Sequence, residues 1–255
     1  MSLPIQPISP LDGRYRAAVA EIGEYLSEAG LNRARVHVEV EWLILLADRG
    51  MFGVEALNAA DQAELRRFAA DFGQEQIDQL AALEAVTRHD VKAVEYLIRE
   101  HLTSVGLDRV AELVHFACTS EDINNLAYAL TIGDAVDRVW QPKLDAAIAA
   151  LTDLAVATRA VPMLTHGQPA TPTTMGKELA VVVHRLQRQR ARAAAIAPMG
   201  KLNGATGTYA AHLAASPETD WPALSAALAP PPGLPRRPHA AQGQPDSLRE
   251  RRGKP

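Results

Sequence analysis

The sequence predicts an all-α protein. Aromatic residues make up only 5% of the chain, and its apolar residues are mainly Ala, Leu and Val, a composition that suits packed helices better than a β-sandwich. Apolar residues also recur every three or four positions over long stretches, which is typical of helix bundles. With 255 residues, the chain is long enough to bury a core and to form one or two domains.

Three segments are expected along the chain. Residues 1–108 form a predicted N-terminal helical domain, because a Gly-containing loop at 103–108 marks a candidate boundary. Residues 109–228 carry the long helices of a bundle domain. From there on the sequence is rich in Pro and Arg and has no apolar period, so residues 229–255 are expected to be a disordered tail.

Charge and composition exclude several function classes. The net charge is −4, so the chain has no basic field to attract nucleic acid. No apolar run is long enough to cross a bilayer, and the N-terminus lacks the pattern of a secretory signal, so a cytoplasmic protein without membrane contact is expected. The single cysteine, Cys118, excludes an internal disulfide and is expected to pack as a small apolar group.

Local signals set the expected helix boundaries in the first hundred residues. The first helix is expected to run up to Gly30. The segment Val36–Trp42 alternates like a strand, but the apolar run continues to Ala47 without a turn signal, which favours a helix. Asp61 begins a predicted capping box, and Asp90 is the predicted cap of a later helix.

Longer helices are expected in the second half. A short helix is predicted over 109–117, and the strong start at Thr119-Ser120 opens a long helix. Pro142 lies within that helix and is expected to kink or break it. A further helix is predicted over 175–196.

A polar stretch around His166 breaks the helical pattern. Two prolines and a glycine restrict the backbone around it, and Thr173 or Thr174 can cap the helix that follows. A histidine on a rigid loop beside a helix N-terminus suits acid–base chemistry, because its charge changes near neutral pH. The alternative is a turn histidine that hydrogen-bonds only its own loop.

The segment Thr87–Asp90 is a second polar interruption. Arg88 and His89 lie there beside the carboxylate of Asp90. This combination suits the recognition of an anionic ligand. A capped helix start with solvated neighbours explains it equally well.

Three further places combine turns with polar groups. The hydroxyls and amides at Thr119 and Ser120 can hold a carboxylate or a phosphate, although helix capping accounts for them without a ligand. Arg14 follows an Asp-Gly turn and is either an anion contact or a surface charge. The Gly-rich turn 201–209 lacks the strand context of a phosphate loop, so a plain turn is expected.

Motifs at four places resemble the adenylosuccinate lyase family. That family belongs to the fumarase/aspartase superfamily of helical homotetramers, in which a helical domain precedes a long-helix bundle. The segments 201–209 and 217–221 are also similar to it, and the resemblance spans roughly residues 5–228 in the expected order. The four motifs are Asp12–Tyr15, Thr87–Tyr96, His115–Asn125 and Thr165–Pro172.

The resemblance implies a C–N lyase of purine biosynthesis. Its reaction is the β-elimination of fumarate from adenylosuccinate and from the analogous succinyl-aminoimidazole-carboxamide ribotide. It implies no metal and no organic cofactor, and its partners are the small-molecule substrate and the other subunits of a homotetramer. The chemistry requires a base, an acid for the departing nitrogen, and groups that hold carboxylates and a phosphate.

The resemblance also implies roles for individual residues. His166 matches the general acid, and His89 matches a second histidine that orients the substrate. The matched substrate-binding positions are Arg14, Tyr15, Arg88, His89, Asp90, Thr119 and Ser120.

The chain departs from the family pattern in three respects. It contains no loop of the form Ser-Ser-x-Met-Pro-x-Lys-x-Asn-Pro, whose serine is the family's general base. The sequence resembles only the first part of the bundle, and Leu164 stands where the family usually has an arginine. Impaired catalysis is therefore expected. Two alternatives stay open, namely a non-catalytic remnant that associates with full-length subunits and a sister lyase that acts on a different conjugate.

Overall fold

The computed structural model describes residues 7–167, 170–196 and 198–228. Among these residues all regular elements are helical except one two-stranded antiparallel sheet, which confirms the all-α prediction. The tail expected at 229–255 lies outside the described residues. The elements are α1 (Ala20–Leu26), α2 (Glu28–Asp48), α3 (Ala59–Ala70), α4 (Gln74–Thr87), α5 (Asp90–Ser104), α6 (Ser120–Asp134), α7 (Gln141–Ala157), β1 (Pro162–Leu164), β2 (Pro172–Thr174), α8 (Met175–Ala194), α9 (Ala210–Ala215) and α10 (Trp221–Ala227).

The backbone divides into two compact units. Among the described residues, the first unit comprises 7–133 and 198–228, and the second begins at Asp134 and includes α7, the sheet and α8. The domain boundaries expected after residues 108 and 228 stay predictions. No helix within the described ranges is both long enough and apolar enough to span a membrane.

Helix α2 lies at the centre of the first unit. Val36, Trp42, Leu43 and Leu46 on this helix are fully buried, so apolar residues occupy several of its faces and produce the strand-like alternation in the sequence. The Ser27 Oγ accepts a hydrogen bond from the N–H of residue 30. The helix therefore begins just after Ser27, and the expectation that a helix ends at Gly30 was wrong.

Two helix caps differ from the expected ones. The Asn58 Oδ1 accepts a hydrogen bond from Asp61 N at 2.9 Å, so α3 begins three residues earlier than predicted and Asp61 is not its cap. His89 caps α5, because its Nδ1 accepts from Lys92 N at 3.1 Å. Asp90, the predicted cap, is the first residue of that helix.

The helix expected over 109–117 forms only in part. A 3-10 helix covers Asp108–Leu113, and the chain then adopts left-handed backbone at His115 and Ala117, both with φ of 56°. Non-glycine residues rarely adopt this conformation, which costs free energy unless surrounding contacts impose it. The prediction was therefore wrong in its second half.

The interruption expected at Pro142 is present. A π-helical segment, Ala135–Trp140, follows α6, and Pro142 lies in the first turn of α7. Proline has no N–H to donate and its ring clashes with the carbonyl four residues earlier, so a regular α-helix cannot pass through it unchanged. The wider π turns accommodate both effects.

In the second unit α7 and α8 pack against each other in antiparallel orientation. Arg190, late in α8, binds Asp145, early in α7, with two hydrogen bonds of 2.9 Å. At the opposite ends, Gly176 lies against Ala155 and Arg159, where a Cβ atom would overlap their backbone. The Thr174 Oγ1 accepts from Lys177 N, which confirms Thr174 as the cap of α8.

Gly176 offers a test of this close approach. Gly176→Ala is expected to destabilise the second unit by about 1–3 kcal/mol, because its Cβ forces α7 and α8 apart. Gly23→Ala in α1 is the matched control, since no atom lies within 4 Å of the added Cβ and alanine is the better helix former by about 0.5–1 kcal/mol. Thermal midpoints of the two variants should move in opposite directions, and equal midpoints would contradict this packing.

Candidate active site

The loop between α4 and α5 presents His89 at the surface of the first unit. Arg88, in the left-handed region with φ of 50°, ends α4 and reverses the chain. The Thr87 hydroxyl donates to the His89 carbonyl at 3.1 Å. The exposed side chains of Arg88 and His89 thus stand on a backbone turn that is fixed by hydrogen bonds on both sides.

The capping bond also fixes the tautomer of His89. Because Nδ1 accepts the N–H of Lys92 at 3.1 Å, the proton of the neutral ring is carried by Nε2. That nitrogen lies 3.5 Å from the hydroxyl oxygen of Ser120, the first residue of α6. The structure thus brings together two candidate residues that are 31 positions apart in sequence.

Arg35 connects Asp90, at the start of α5, to Asn124 in the first turns of α6. It is buried in α2, and its guanidinium donates to the Asp90 Oδ2 at 2.6 Å and to the Asn124 Oδ1 at 2.8 Å. Burial works to raise the pKa of Asp90, but the Val91 amide and the Arg35 guanidinium outweigh it and lower that pKa. Sequence reasoning missed Arg35, although an arginine flanked by buried positions in an apolar helix is a signal for an internal ion pair.

A second internal pair supports the segment before α6. The His115 Nδ1 lies 2.5 Å from the Oε1 of Glu39, and His115 N donates to the Oε2 of the same carboxylate at 3.1 Å. Burial works to lower the pKa of His115, but fully buried Glu39 outweighs it and raises that pKa. Both bonds are made by a residue with left-handed backbone, a conformation that such contacts can hold in place. Cys118 packs against the core as expected, and its burial raises the pKa of the thiol.

Asp122 holds the start of α6 against the Gly-rich turn. Its carboxylate is fully buried and accepts hydrogen bonds from Thr119 N at 2.9 Å, Gly204 N at 3.1 Å and Lys201 Nζ at 2.5 Å. The side chain of Asn125 adds bonds to both the N–H and the carbonyl of Lys201. The turn is thus an internal anchor of the helix start and was underestimated from the sequence.

His212 packs beside this anchor inside an aromatic cage. The ring is fully buried, and neither nitrogen has a hydrogen-bond partner among the described residues. It makes edge-to-face contacts with Trp221, Tyr209 and Trp42, at centroid distances of 4.9, 5.5 and 6.2 Å. Burial is the main cause that lowers the pKa of His212; Lys201 acts in the same direction and Asp122 opposes it.

This environment predicts a loss of stability in mild acid. The unfolded chain takes up a proton on His212 near its ordinary pKa of 6.5, whereas the folded chain does so only at lower pH. The contribution to stability is therefore complete well above pH 6.5 and falls by up to about 1.4 kcal/mol per pH unit until the folded pKa is reached. His101, also with a lowered pKa, acts in the same direction, and His115 in the opposite one.

The variant His212→Phe isolates the contribution of His212 to the pH dependence of stability. Thermal midpoints measured between pH 7.5 and 5.0 should fall less steeply for His212→Phe than for the wild type. Replacing the exposed His184 by phenylalanine is the control and should leave the slope as it is. Equal slopes for wild type and His212→Phe would show that the buried ring does not titrate.

Arg14 and Tyr15 follow a turn that the Asp12 carboxylate stabilises through the N–H groups of Ile8 and Ser9. Both side chains are exposed, and the Arg14 guanidinium donates to the Tyr15 hydroxyl at 2.7 Å. Within the described ranges no hydrogen bond or ion pair joins them to the loop of His89. Their expected contribution to one substrate site stays a prediction.

His166 lies at the tip of a hairpin in the second unit. Strands β1 and β2 pair in antiparallel fashion, and Thr165 N donates to the Thr171 carbonyl at 2.9 Å. The Thr171 N–H in turn donates to the Thr165 Oγ1 at 3.0 Å. The polar loop predicted around His166 is therefore part of a hydrogen-bonded hairpin that presents an exposed histidine. Residues 168 and 169, next to it, lie outside the described part.

The described residues include no group of three or more His, Cys, Asp or Glu side chains arranged to hold a metal ion. What the geometry does offer is a neutral histidine beside a serine hydroxyl, at the start of a 15-residue helix whose N-terminal dipole favours anions. Such a site can bind a carboxylate or a phosphate.

Comparison with known proteins identifies the family of this chain. The sequence profile of the family described as Lyase matches residues 13–240. The chain belongs to this lyase family. The match runs past residue 228, at which the motif resemblance ends.

Curated relatives of this lyase chain are adenylosuccinate lyases. The protein from Escherichia coli K12 is 43% identical over 242 residues, which cover 93% of this chain and 53% of the relative. The one from Haemophilus influenzae is 42% identical over the same shares, and the one from Vibrio cholerae is 43% identical over 84% of this chain and 48% of the relative. The resemblance found in the motifs is thereby confirmed, and the chain spans about half the length of the curated relatives it matches.

Solved structures confirm the fold of this lyase chain. The β-carboxy-cis,cis-muconate cycloisomerase of Acinetobacter calcoaceticus superposes with a TM-score of 0.65 at 19% identity, covering 90% of this chain and 52% of that one. The 3-carboxy-cis,cis-muconate lactonizing enzyme of Pseudomonas putida gives a TM-score of 0.65 at 22% identity, covering 90% and 50%. At these identities the likeness shows the fold alone.

Proposed function

We propose that the chain supplies the substrate-binding and proton-donating part of a lyase site that eliminates fumarate from adenylosuccinate. The analogous ribotide of purine biosynthesis, succinyl-aminoimidazole-carboxamide ribotide, is the second proposed substrate. The observation that carries the proposal is the contact between His89 Nε2 and the Ser120 hydroxyl at 3.5 Å. It joins two motifs that resemble adenylosuccinate lyase, in a chain 43% identical to such an enzyme.

The proposed binding groups suit a substrate with several negative charges. Ser120 and Thr119 start α6, where backbone N–H groups and the helix dipole favour a carboxylate. His89 adds a neutral N–H donor, and the exposed guanidinium of Arg88 stands one residue away. Arg14 and Tyr15 are proposed as further contacts, while Asp90 holds the loop in place through its ion pair with Arg35.

The elimination needs one proton removed and one added. His166 is the proposed acid that protonates the departing nitrogen, because it presents an exposed imidazole next to the hydrogen-bonded Thr165–Thr171 pair of the hairpin and imidazole is the commonest general acid in enzymes. The sequence contains no Ser-Ser-x-Met-Pro-x-Lys-x-Asn-Pro segment, which carries the base in the family. We therefore expect slow turnover from these 255 residues alone.

A second candidate function is association without catalysis. The second unit exposes a set of large apolar side chains on α7, α8 and the segment between them. Such residues favour contact with other chains, and a homotetramer is proposed by analogy with the family. The side chains are Leu154, Val156, Val161, Leu164, Met175 and Val182.

Calorimetric titration with a panel of ligands separates these functions. Adenylosuccinate and AMP are expected to bind the purified chain more tightly than argininosuccinate does, because the start of α6 and Arg88 can hold a nucleotide phosphate, which argininosuccinate lacks. Binding of argininosuccinate in preference to adenylosuccinate would indicate a sister lyase. An absence of binding by every member of the panel would favour the purely associative function.

A further inference from the structure

The Asp122 carboxylate joins two separate segments of the first unit. It is fully buried in the first turn of α6, two residues after Ser120. Its Oδ2 accepts the N–H of Thr119 at 2.9 Å and the N–H of Gly204 at 3.1 Å. The helix start and the Gly-rich turn therefore meet at one oxygen atom.

The other oxygen carries a buried counter-ion. The Asp122 Oδ1 accepts from Lys201 Nζ at 2.5 Å and from Asn203 N at 3.0 Å, so four donors in total occupy the acceptor positions of the carboxylate. The Lys201 side chain is only 4% exposed, and its ammonium also donates to the Gly204 carbonyl at 2.7 Å. Each charge is thus held in a single geometry.

Helix capping alone does not call for this arrangement. An exposed serine or asparagine caps a helix equally well, as Asn58 does for α3, whereas burying two charges costs several kcal/mol per ion before their attraction offsets it. A fully satisfied internal network, however, fixes its members rigidly. The member nearest the candidate site is Thr119, the residue before Ser120.

We propose that Asp122 is a positioning residue for the elimination. It fixes the backbone of Thr119, and thereby the Ser120 hydroxyl beside His89, with Lys201 as its buried counter-ion. The inference rests on the proposed function and deepens it, because it extends the site from the helix start to the turn at 201–204. Neither Asp122 nor Lys201 needs to contact the substrate in this role.

Two variants separate positioning from mere stabilisation. Lys201→Met removes the counter-ion but leaves Asp122 to accept the N–H of Thr119. In that single variant the buried Asp122 carboxylate keeps its three backbone N–H donors, from Thr119, Asn203 and Gly204. Asp122→Ala combined with Lys201→Met removes both buried charges and also the acceptor of these hydrogen bonds. Glu121→Gln is the matched control, since this neighbouring carboxylate in the same helical turn accepts no hydrogen bond from the described residues.

The first readout is cleavage of adenylosuccinate per folded molecule, with the folded fraction taken from circular dichroism. The double variant is expected to lose at least about tenfold in kcat relative to Lys201→Met, the equivalent of one hydrogen bond to a charged group. Glu121→Gln should match the wild type. Equal kcat per folded molecule in the double variant and Lys201→Met would overturn the proposal and leave a purely structural role.

Amide hydrogen exchange provides a readout that does not depend on turnover. The Thr119 and Gly204 amides are expected to exchange at least about tenfold faster in the double variant than in Lys201→Met, while Ala127 in the middle of α6 keeps its rate. Unchanged exchange at Thr119 would overturn the proposal. A wild type without turnover, by contrast, would refute the proposed function and leave the exchange result to decide on Asp122.

Discussion

Replacing His166 by glutamine is expected to lower the rate of adenylosuccinate cleavage about 10²- to 10⁴-fold, the usual contribution of a positioned general acid. Glutamine keeps the polarity and approximate size of the side chain but has no proton to transfer at neutral pH. The hairpin should remain folded, because its hydrogen bonds join Thr165 and Thr171 and do not involve the imidazole.

The control for this variant is His184→Gln. His184 is a second exposed histidine of the same unit, located on α8, and its replacement should leave the rate as it is. The comparison requires rates over a range of pH, since loss of the acid should also remove the limb of the profile that reports its protonation. A His166→Gln variant that cleaves as fast as the wild type would exclude this residue as the proton donor.

The largest expected loss of stability follows from breaking the buried ion pair between Asp122 and Lys201. Asp122→Ala leaves the Lys201 ammonium buried with only the Gly204 carbonyl as its described acceptor. An uncompensated buried charge of this kind typically costs about 3–5 kcal/mol. Adding Lys201→Met removes the charge as well and should recover part of the loss, so the double variant is expected to be more stable than Asp122→Ala.

An exposed pair provides the contrast. Asp145 and Arg190 form two hydrogen bonds of 2.9 Å, but both side chains are more than a third exposed. Because water screens both charges, Asp145→Ala should cost far less stability than Asp122→Ala. Chemical denaturation of the three variants measures these differences, and a loss for Asp145→Ala equal to that for Asp122→Ala would contradict the argument from burial.

Long-range apolar periodicity made the helical fold predictable. The run from Val36 to Ala47 was assigned to a helix because a strand of that length without a turn is unusual, and α2 contains it entirely. Helix ends were less predictable, since several polar residues compete for each cap. Asn58 caps α3 in place of Asp61, and His89 caps α5 in place of Asp90. In each case the sequence offers two polar residues, and only the backbone geometry determines which side chain reaches a free N–H.

The motifs of the candidate site could be predicted from the sequence, but the distances between their side chains could not. Nothing in the local sequence reveals that His89 and Ser120 lie 3.5 Å apart, because their proximity depends on how α5 and α6 pack. The roles of Arg35 and Lys201 were hidden for the same reason. A charged residue is expected at the surface, and only tertiary contacts show that each of these two cations is buried against a carboxylate.

Asp122 shows how a local rule can be right and incomplete. An acid in the first turn of a helix complements the dipole, and Asp122 lies in the first turn of α6. The structure adds contacts with residues about 80 positions later in the chain. No local pattern contains that information.

A single-turnover measurement tests the central claim most directly. The purified chain is mixed with less than one equivalent of adenylosuccinate, and the release of fumarate is followed by absorbance and chromatography for wild type and His166→Gln. We predict slow but complete conversion by the wild type and about 10²-fold or more slower conversion by the variant. No fumarate from the wild type, or equal rates for the two proteins, would contradict the assignment of this chain as the proton-donating part of an adenylosuccinate-cleaving site.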